Sequence, residues 1–384
     1  MSNDSIKTVV FVSNYFNHHQ KPFSDAMYKR HGNGYVFIET EKMTDERKNM
    51  GWEMEKIPSY VVSCDSLRSS ADHYVDLINK ADFVIIGSAP ERLVRLRKKQ
   101  GKPLLRYSER PLKEGFEPLK FFPRMVKWNM KNPRTKPIYM LCASAYTAGD
   151  YAKFGLFKNR CFKWGYFTEL KKYEDIETMI SNKKTGSILW AARLVELKHP
   201  ETCIEVAKRL RTEGYEFTLN IIGSGPLEEK LKTMIAHEEL NDHVFMCGAM
   251  KPDQVREYME RAEIFMFTSD RREGWGAVLN ESMNSACAVV ASDVIGSVPF
   301  LIKDRENGMV YSDGDIDELY SNIKWLLDNK SERKVIARNA YDTMKNEWNA
   351  ENAADKLISL MLSISNGARI LIFLRQVYAA GPNN

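Results

Sequence analysis

Two stretches of this 384-residue chain alternate short, mostly apolar runs with longer segments of helical periodicity. The apolar runs include Thr8–Ser13 and Phe83–Gly87 in the first stretch and Ile264–Phe267 in the second. Helical patterns such as His73–Asn79 and Pro200–Arg211 lie between the runs. Strands that alternate with helices are typical of parallel sheets covered on both faces. The pattern therefore predicts an α/β protein with two Rossmann-like, doubly wound domains that face a central cleft.

The segment around Phe167–Lys184 is polar and charged, and we place the connection between the domains there. We expect a first domain over residues 1–167 and a second over residues 186–344. A helical segment from about 345 to 384 is expected to pack back on the first domain.

Composition limits the class of protein. An apolar content of 43% and a charged content of 28% are ordinary for a globular protein. The formal charge of +5 does not by itself indicate a nucleic-acid partner. The six cysteines are scattered, the N-terminus is too short and too acidic for a signal peptide, and no run approaches the length of a spanning helix. We therefore expect a cytoplasmic protein with reduced thiols.

The most informative segment is 268–290, read as strand end, tight loop, helix and strand. It contains two acidic residues, Glu273 and Glu281, and an aromatic residue between Gly274 and Gly276. A helix that starts near Gly276 would present backbone N–H groups to an anion. Carboxylates repel an anion but accept hydrogen bonds from hydroxyls. A helix start next to two carboxylates therefore predicts a ligand with both phosphate and hydroxyls, a nucleotide sugar. The alternatives are a loop charge for Glu273 and a solvated helix glutamate for Glu281.

Two cations and two glycine turns precede that segment. Arg193 follows one predicted strand, and Lys198 lies five residues further on, so the pair suits a diphosphate. Gly223 belongs to a Gly-Ser-Gly turn, and Met250 follows a second strand that exits at a glycine. The turn does not match the dinucleotide-binding fingerprint, and each glycine alone could serve packing only.

No metal site is expected. Asp313 and Asp315 form a DxD pattern, but a polar turn after a strand explains it better than a set of metal ligands.

Six motifs in order resemble the retaining glycosyltransferases of family 4, which have the GT-B fold and include bacterial surface-polysaccharide enzymes. The resemblance covers about 188–320. The motifs are ARLVELK (192–198), IIGSGPLEEKL (221–231), VFMCGAM (244–250), AEIFMFTS (262–269), EGWGAVLNESMNSACAVVASD (273–293) and NGMVYSDGD (307–315).

The resemblance implies roles for individual residues. Arg193 and Lys198 would hold the donor diphosphate, Glu281 the ribose hydroxyls, Glu273 the donor sugar, and Met250 the base through its backbone. It also implies no metal and no cofactor, with UDP or GDP as the nucleotide. We accordingly predict that Glu273, Lys198 and Arg193 are catalytic. The predicted donor site is completed by Gly223, Met250, Gly274, Gly276 and Glu281.

The sequence departs from this family at two places. Pro299-Phe300 stands where the family usually has Pro-Glu, and Tyr107-Ser108-Glu109-Arg110 stands where many members have a histidine. Glu109, His18 or His19 could take an acceptor role instead, and with Asn17 they form the predicted acceptor side. The alternative for the two histidines is exposure in a polar loop.

The segment 92–136 is strongly basic, with interleaved Phe116, Phe121, Phe122 and Trp128. The stretch 121–128 is typical of a surface that meets anionic lipid headgroups. A solvated basic face with core aromatics is the alternative. Nucleic acid is a third interpretation that no motif supports, so we expect no such partner.

Together these features predict a glycosyltransferase that moves a sugar, with retention, from a nucleotide sugar to a glycan or lipid-linked acceptor in bacterial surface polysaccharide synthesis. It would be cytoplasmic, on the inner face of the cell membrane. The alternative is a non-catalytic nucleotide-sugar or glycan-binding protein of the same fold. A phosphorylase-type enzyme finds no support, because no cofactor-lysine context is present.

Overall fold

The computed structural model describes residues 6–366 except 50, 53 and 55. It divides the chain into two compact units. Unit 1 consists of Met1–Thr168 and Ala350–Asn384, and unit 2 consists of Glu169–Asn349. The part of the predicted C-terminal segment after residue 366 lies outside the described residues.

Unit 1 contains a parallel sheet of seven strands within the described residues, in the order β3-β2-β1-β4-β5-β6-β7. The sequence pattern missed the two short outer strands, β3 and β7. The strands are β1 (Val9–Ser13), β2 (Tyr35–Glu39), β3 (Val61–Val62), β4 (Phe83–Ile86), β5 (Leu104–Ser108), β6 (Ile138–Cys142) and β7 (Cys161–Lys163).

Helices connect these strands. They are α1 (Lys21–His31), α2 (Asp45–Asn49), α3 (Cys64–Ser69), α4 (Ala71–Lys80), α5 (Arg95–Lys99), α6 (Pro118–Lys131) and α7 (Thr147–Ala152). A 3₁₀ turn, Glu91–Val94, precedes α5.

Unit 2 repeats the architecture with six parallel strands in the described part of the chain, in the order β10-β9-β8-β11-β12-β13. The strands are β8 (Ser187–Ala191), β9 (Thr218–Ile222), β10 (Val244–Gly248), β11 (Ile264–Phe267), β12 (Ala288–Ser292) and β13 (Met309–Tyr311). The helices are α8 (Ile176–Ser181), α9 (Glu201–Thr212), α10 (Glu228–His237), α11 (Pro252–Arg261), α12 (Val278–Asn284), α13 (Val298–Leu301), α14 (Ile316–Asp328) and α15 (Lys330–Asp342).

Both sheets are doubly wound, which confirms the predicted fold class. In unit 2 the strand order reverses between β8 and β11. Every residue of β8, β11 and β12 is buried, as expected for strands covered on both faces. Ligands of such sheets bind outside the carboxyl ends of the strands at the reversal, so the loops after β8 and β11 are where a site is expected.

The chain after unit 2 contributes one helix, α16 (Ala350–Ser365), to unit 1. Arg30 at the end of α1 donates to Asp355 at 2.6 Å and to Glu351 at 2.7 Å. The hydrogen bonds from Arg30 lower the pKa of both carboxyls, although burial opposes this. The ion pairs therefore fix α16 against α1.

Several cations of the basic segment are paired or buried, so they do not contribute to an exposed cationic surface. Arg106 is paired with Glu91, and Arg110 with buried Asp150. Arg97 is fully buried and donates to four backbone carbonyls. These belong to Pro103, Ile78, Ala81 and Asp82, at 2.6–3.1 Å. The guanidinium thus joins α4, α5 and the start of β5.

Burial lowers the pKa of Arg97 to about 10, and the charge of Asp82 opposes this fall. The arginine therefore stays charged at neutral pH, and its loss would orphan several buried acceptors.

We predict that Arg97→Met destabilises unit 1 by at least about 3 kcal/mol, because each unsatisfied buried acceptor costs about 1–3 kcal/mol. Arg95→Met on the exposed face of the same helix is the control, expected to change stability by under about 0.5 kcal/mol. Urea denaturation followed by circular dichroism measures both. Equal stability of the two variants would contradict a structural role for Arg97.

Among the described helices, none is both long enough and apolar enough to cross a membrane.

Candidate active site

The loop after β8 positions the two predicted cations. Arg193 is exposed two residues beyond the strand, and Lys198 ends a 3₁₀ turn, Glu196–Lys198. The next residue, His199, has a left-handed φ of 46°, which turns the chain into α9. The predicted helix start at Pro200 therefore agrees within one residue.

The Gly223-Ser224-Gly225 turn lies directly against that loop. A Cβ on Gly223 would come within 1.9 Å of the Ala192 carbonyl oxygen, and one on Gly225 within 2.5 Å of the Leu194 oxygen. Both glycines have φ near +150°, a region open mainly to glycine. The Leu194 N–H also donates to the Ser224 carbonyl at 2.9 Å. The glycines thus permit the close backbone approach that holds the segment carrying Arg193.

The loop after β11 is joined to the loop after β8. The Thr268 hydroxyl donates to the Lys198 carbonyl at 2.7 Å and accepts from buried Trp190 at 2.9 Å. The Asp270 N–H donates to the Leu197 carbonyl at 3.0 Å. These bonds fix two loops at neighbouring carboxyl ends of the sheet.

Lys198 and Glu273 form an ion pair across the two loops. Their side chains are only 13% and 14% exposed, so solvent screens the pair less than a surface pair. The Ser269 hydroxyl donates to the same Glu273 oxygen at 3.3 Å. The ammonium and the carboxylate are therefore positioned together in this structure.

A second cluster supports the loops. His199 contacts Asp270 at 3.2 Å, and Arg272 donates to the same carboxylate at 2.7 Å. Although burial opposes it, the hydrogen bonds from Arg272 and His199 hold the pKa of Asp270 below its usual value. Asp270 is thus a fixed anion that orients the loop bearing Glu273, and the sequence reasoning missed it.

The glycine-flanked aromatic belongs to the core. Trp275 is fully buried, stacks on Trp348 at 5.5 Å and donates to Asn280 at 2.8 Å. A Cβ on Gly276 would come within 2.2 Å of the Phe267 ring. Phe300, where the family usually has glutamate, lies 6.3 Å from Trp275 in the same aromatic cluster.

The predicted helix start at Gly276 is wrong. Helix α12 begins at Val278 and has seven residues, because Gly276, with φ +79°, turns the chain before it. Glu281 lies in the first turn of this helix and is half-buried. Burial raises the pKa of Glu281, and the charge of Arg256 opposes the rise. Among the described residues, no side chain or backbone group hydrogen-bonds to the Glu281 carboxyl.

The remaining predicted donor residues lie at the same edge of the sheet. Met250 is half-buried two residues after β10, and the Gly223 N–H donates to the Gly248 carbonyl at 2.8 Å. Gly274 is buried beside Trp275. Strand ends β8, β9, β10 and β11 therefore carry all the predicted donor residues except Glu281, which α12 carries.

The turn after β13 contains the N-cap residue of helix α14. The Asp315 side chain accepts from the Glu318 N–H and so caps the helix. Asp313 accepts, at 3.5 Å, from the Ser292 hydroxyl.

In unit 1 the predicted acceptor residues follow β1 and β5. Asn17 is buried and accepts from the His19 N–H at 2.9 Å. The rings of His18 and His19 lie 3.9 Å apart, and Trp52 lies 5.2 Å from His19. The alternative of two solvent-exposed histidines is wrong, because both side chains are half-buried and both Nδ1 atoms are buried. Burial lowers the pKa of His19 well below its usual value.

Tyr166 brings the two loops of unit 1 together. Its ring stacks on His19 at 6.4 Å, and its hydroxyl donates to Glu109 at 2.6 Å. Glu109 also pairs with Lys113. The His19 Nδ1 atom is buried without a partner in the described part of the chain. Tyr166 and Trp52 were not among the predicted residues, because residue type was the only signal for them in the sequence.

The close approach of the glycine turn gives a prediction about stability. Gly223→Ala should cost about 3 kcal/mol or more, because its Cβ must displace the Ala192 backbone and adopt an unfavourable φ. Gly214→Ala, at φ +77° with open space around its Cβ, should cost only about 1–2 kcal/mol. Thermal unfolding compares the two. If Gly214→Ala were the more damaging change, the packing role of Gly223 would be refuted.

The raised pKa of Glu281 gives a pH-dependent prediction. Because the folded state disfavours the charged carboxylate, Glu281 lowers stability progressively as pH rises above its ordinary pKa of about 4.5. Glu281→Gln should therefore raise the melting temperature at pH 7 and have little effect at pH 4. Glu229→Gln, on the exposed side of the first turn of α10, is the control without such a gain. A Glu281→Gln protein that melts lower at pH 7 would contradict the prediction.

Comparisons with known proteins show what this chain is similar to. Residues 172–343 match the family model described as glycosyl transferases group 1. The amylovoran biosynthesis glycosyltransferase AmsK of Erwinia amylovora is 30% identical over 179 residues, covering 45% of this chain and 44% of AmsK. An N-acetylgalactosamine-N,N'-diacetylbacillosaminyl-diphospho-undecaprenol 4-alpha-N-acetylgalactosaminyltransferase of Campylobacter jejuni is 29% identical over 178 residues, 46% of this chain and 47% of that protein. The matches span less than half the length of these relatives.

Solved structures share the fold over most of the chain. Anabaena HepE in complex with UDP superposes with a TM-score of 0.69 at 15% identity, covering 93% of this chain and 99% of that one. The pneumococcal O-GlcNAc transferase GtfA in complex with UDP and GlcNAc has a TM-score of 0.66 at 11% identity, covering 94% and 99%. The chain thus has the GT-B fold, and its residues 172–343 are similar to the group 1 glycosyl transferases.

Proposed function

We propose that this protein is a glycosyltransferase that moves a sugar from a nucleotide sugar to a glycan or lipid-linked acceptor in bacterial surface polysaccharide synthesis. The observation that carries the proposal is the Lys198–Glu273 pair, held by two joined loops at the carboxyl ends of β8 and β11. The pair lies in the segment that matches the group 1 glycosyl transferase model. The names of AmsK and of the Campylobacter relative support a polysaccharide or diphospho-undecaprenol acceptor.

In this proposal unit 2 binds the donor. Lys198 and Arg193 hold the diphosphate, Glu281 accepts from the ribose hydroxyls, and the backbone near Met250 contacts the base. The half-buried Glu281 carboxyl, which has no hydrogen-bond partner among the described residues, gains ribose hydroxyls as donors when the ligand binds. The proposed nucleotide is UDP, supported by the UDP complexes of HepE and GtfA, and GDP is the alternative.

In the ion pair, Lys198 and Glu273 each have a partner that a group of the ligand can replace. When the donor arrives, its diphosphate competes with Glu273 for the Lys198 ammonium, and the carboxylate accepts sugar hydroxyls instead. Lys198 is then paired with the diphosphate and Glu273 is hydrogen-bonded by hydroxyls, which limits the desolvation cost of both charges. Backbone amides before α12 add less to this site than a long helix would, because α12 has only seven residues.

We propose a transfer with retention of configuration that needs no metal and no cofactor. The bond between the anomeric carbon and the phosphate oxygen breaks, and the acceptor oxygen bonds to the carbon on the same face. The acceptor proton passes to the leaving phosphate. Lys198 and Arg193 offset the negative charge that develops on the diphosphate, which is the role that a divalent cation has in other enzymes.

Unit 1 is the proposed acceptor unit. Asn17, His18, His19 and Glu109 line the loops after β1 and β5, and aromatic Trp52 and Tyr166 offer faces on which a sugar ring can stack. We place the protein in the cytoplasm, on the inner face of the cell membrane and without a nucleic-acid partner. All six cysteines are free thiols, which suits a reducing compartment.

We predict that Lys198→Ala lowers kcat about 10²–10³-fold, the cost of removing one donor that stabilises developing charge. Lys208→Ala, on the exposed side of α9, is the matched control and should keep full activity. Transfer is measured with a UDP-sugar panel and a diphospho-undecaprenol acceptor, and UDP affinity by calorimetry. Full activity in a folded Lys198→Ala protein would refute the donor site.

The same assay tests the finer points. The anomeric configuration of the product by NMR distinguishes retention from inversion, and EDTA should leave the rate unchanged. A protein that binds UDP-sugars yet neither transfers nor hydrolyses them would be the non-catalytic binding protein of the alternative.

A further inference from the structure

Helix α6 presents three distinct faces. Its inner face packs Phe121, Met125 and Trp128 against the core of unit 1. A second face is apolar yet exposed, with Leu119 93%, Phe122 67%, Val126 44% and Met130 75% exposed. Their spacing of three and four residues puts the four side chains in one row along the helix. We call this row the outer stripe.

The outer stripe is unusual for this protein. Of the nine large hydrophobic side chains that are exposed in the described part of the chain, five lie between Phe116 and Met130. The helix has 14 residues and is about 21 Å long at 1.5 Å per residue. Contiguous exposed apolar rows on a folded domain mark interaction surfaces, whereas scattered single residues do not.

A basic row runs beside the outer stripe. Lys120, Arg124, Lys127 and Lys131 recur every three or four residues and therefore share one side of the helix. Glu117 pairs with the first two, at 2.6 Å and 3.2 Å. Lys127 and Lys131 have no ion-pair partner among the described residues. Two positive charges are thus available next to the apolar row.

A groove flanks the same row. Lys98, Val126, Lys127 and Met130 are among its lining residues. Its one carboxylate, Glu91, is already neutralised by Arg106 at 2.8 Å and by Lys98. The groove therefore carries a net positive charge over an apolar wall, which suits a phosphate group attached to hydrocarbon.

The geometry points to an anionic lipid bilayer as the partner of this surface. We propose that α6 lies in the membrane plane, with Leu119, Phe122 and Met130 inserted among the acyl chains. Lys127 and Lys131 reach the lipid phosphates, since lysine stems can lie along apolar surface while the ammonium stays at the headgroups. Interfacial binding needs apolar side chains that insert among the lipids and cations that attract the anionic headgroups. Helix α6 presents both in adjacent rows, while its third face holds it on unit 1.

This inference deepens the proposed function, because it assigns residues to the membrane attachment proposed above. Membrane binding by α6 could nevertheless occur in a protein that does not transfer sugars. Vesicle binding and UDP binding are therefore measured separately on each protein, so a failure of one proposal leaves the other testable.

We predict that the full chain co-sediments with vesicles containing phosphatidylglycerol and only weakly with pure phosphatidylcholine. Lys127→Gln and Lys131→Gln should each lower the vesicle affinity roughly fivefold, because a lysine near an anionic surface contributes about 1 kcal/mol. Lys334→Gln, an exposed lysine on α15, is the matched control and should not change the affinity. High salt should weaken binding of the wild-type protein.

The apolar row is tested in the same way. Leu119→Ser with Phe122→Ser should lower vesicle affinity more than tenfold, whereas Val335→Ser, 58% exposed on α15, should have no effect. A Phe122→Trp protein should show a blue-shifted emission that brominated lipids quench, and a Val335→Trp protein should not.

Two results would overturn the proposal. One is vesicle binding that is absent, or that is unaffected by the α6 variants. The other is a concentration-dependent dimer that Phe122→Ser dissolves in a protein that ignores vesicles, since the stripe would then meet a second copy of the chain.

Discussion

The hydrogen bond from the Thr268 hydroxyl to the Lys198 carbonyl joins the two loops that form the candidate site of unit 2. It joins the ends of two adjacent parallel strands, and Trp190 holds the same hydroxyl from inside the sheet. Because the loops are fixed to each other, Lys198 and Glu273 meet without a ligand to assemble them. The glycine turn at Gly223 then sets how closely the third loop can approach. The contacts that hold the strand ends together are therefore also the contacts that position the candidate site residues.

The predictable part of the fold followed from periodicity. Longer buried parallel strands, such as β8 and β11, are continuous apolar runs, so their order along the chain was visible in the sequence. The short strands β3 and β7 were not visible, because two or three residues carry no periodicity. Helix α12 was placed two residues early, since nothing local reveals that Gly276 adopts a positive φ against the Phe267 ring.

The candidate site was only half predictable, for a different reason. Residue type and order made Lys198 and Glu273 candidates, but their pairing joins two residues that are 75 positions apart in the chain. A count of charges overestimated the exposed positive charge of the basic segment, because Arg97 is a buried structural group. Residue type also did not reveal that Trp128 faces the core. A linear pattern cannot distinguish a cation that binds four carbonyls from one that faces solvent.

The contribution of α16 to unit 1 has a consequence for how the protein is made. Residues of Glu169–Asn349 separate the two parts of unit 1, and Arg30 meets its carboxylate partners only beyond them. At about 5–20 residues per second of synthesis, that interval lasts about 10–40 s. During this interval the surface of α1 that α16 later covers stays exposed on the ribosome-bound chain. Unit 2 begins later in the sequence, but all of its elements are synthesised before α16. The nascent chain therefore completes unit 2 before it completes unit 1.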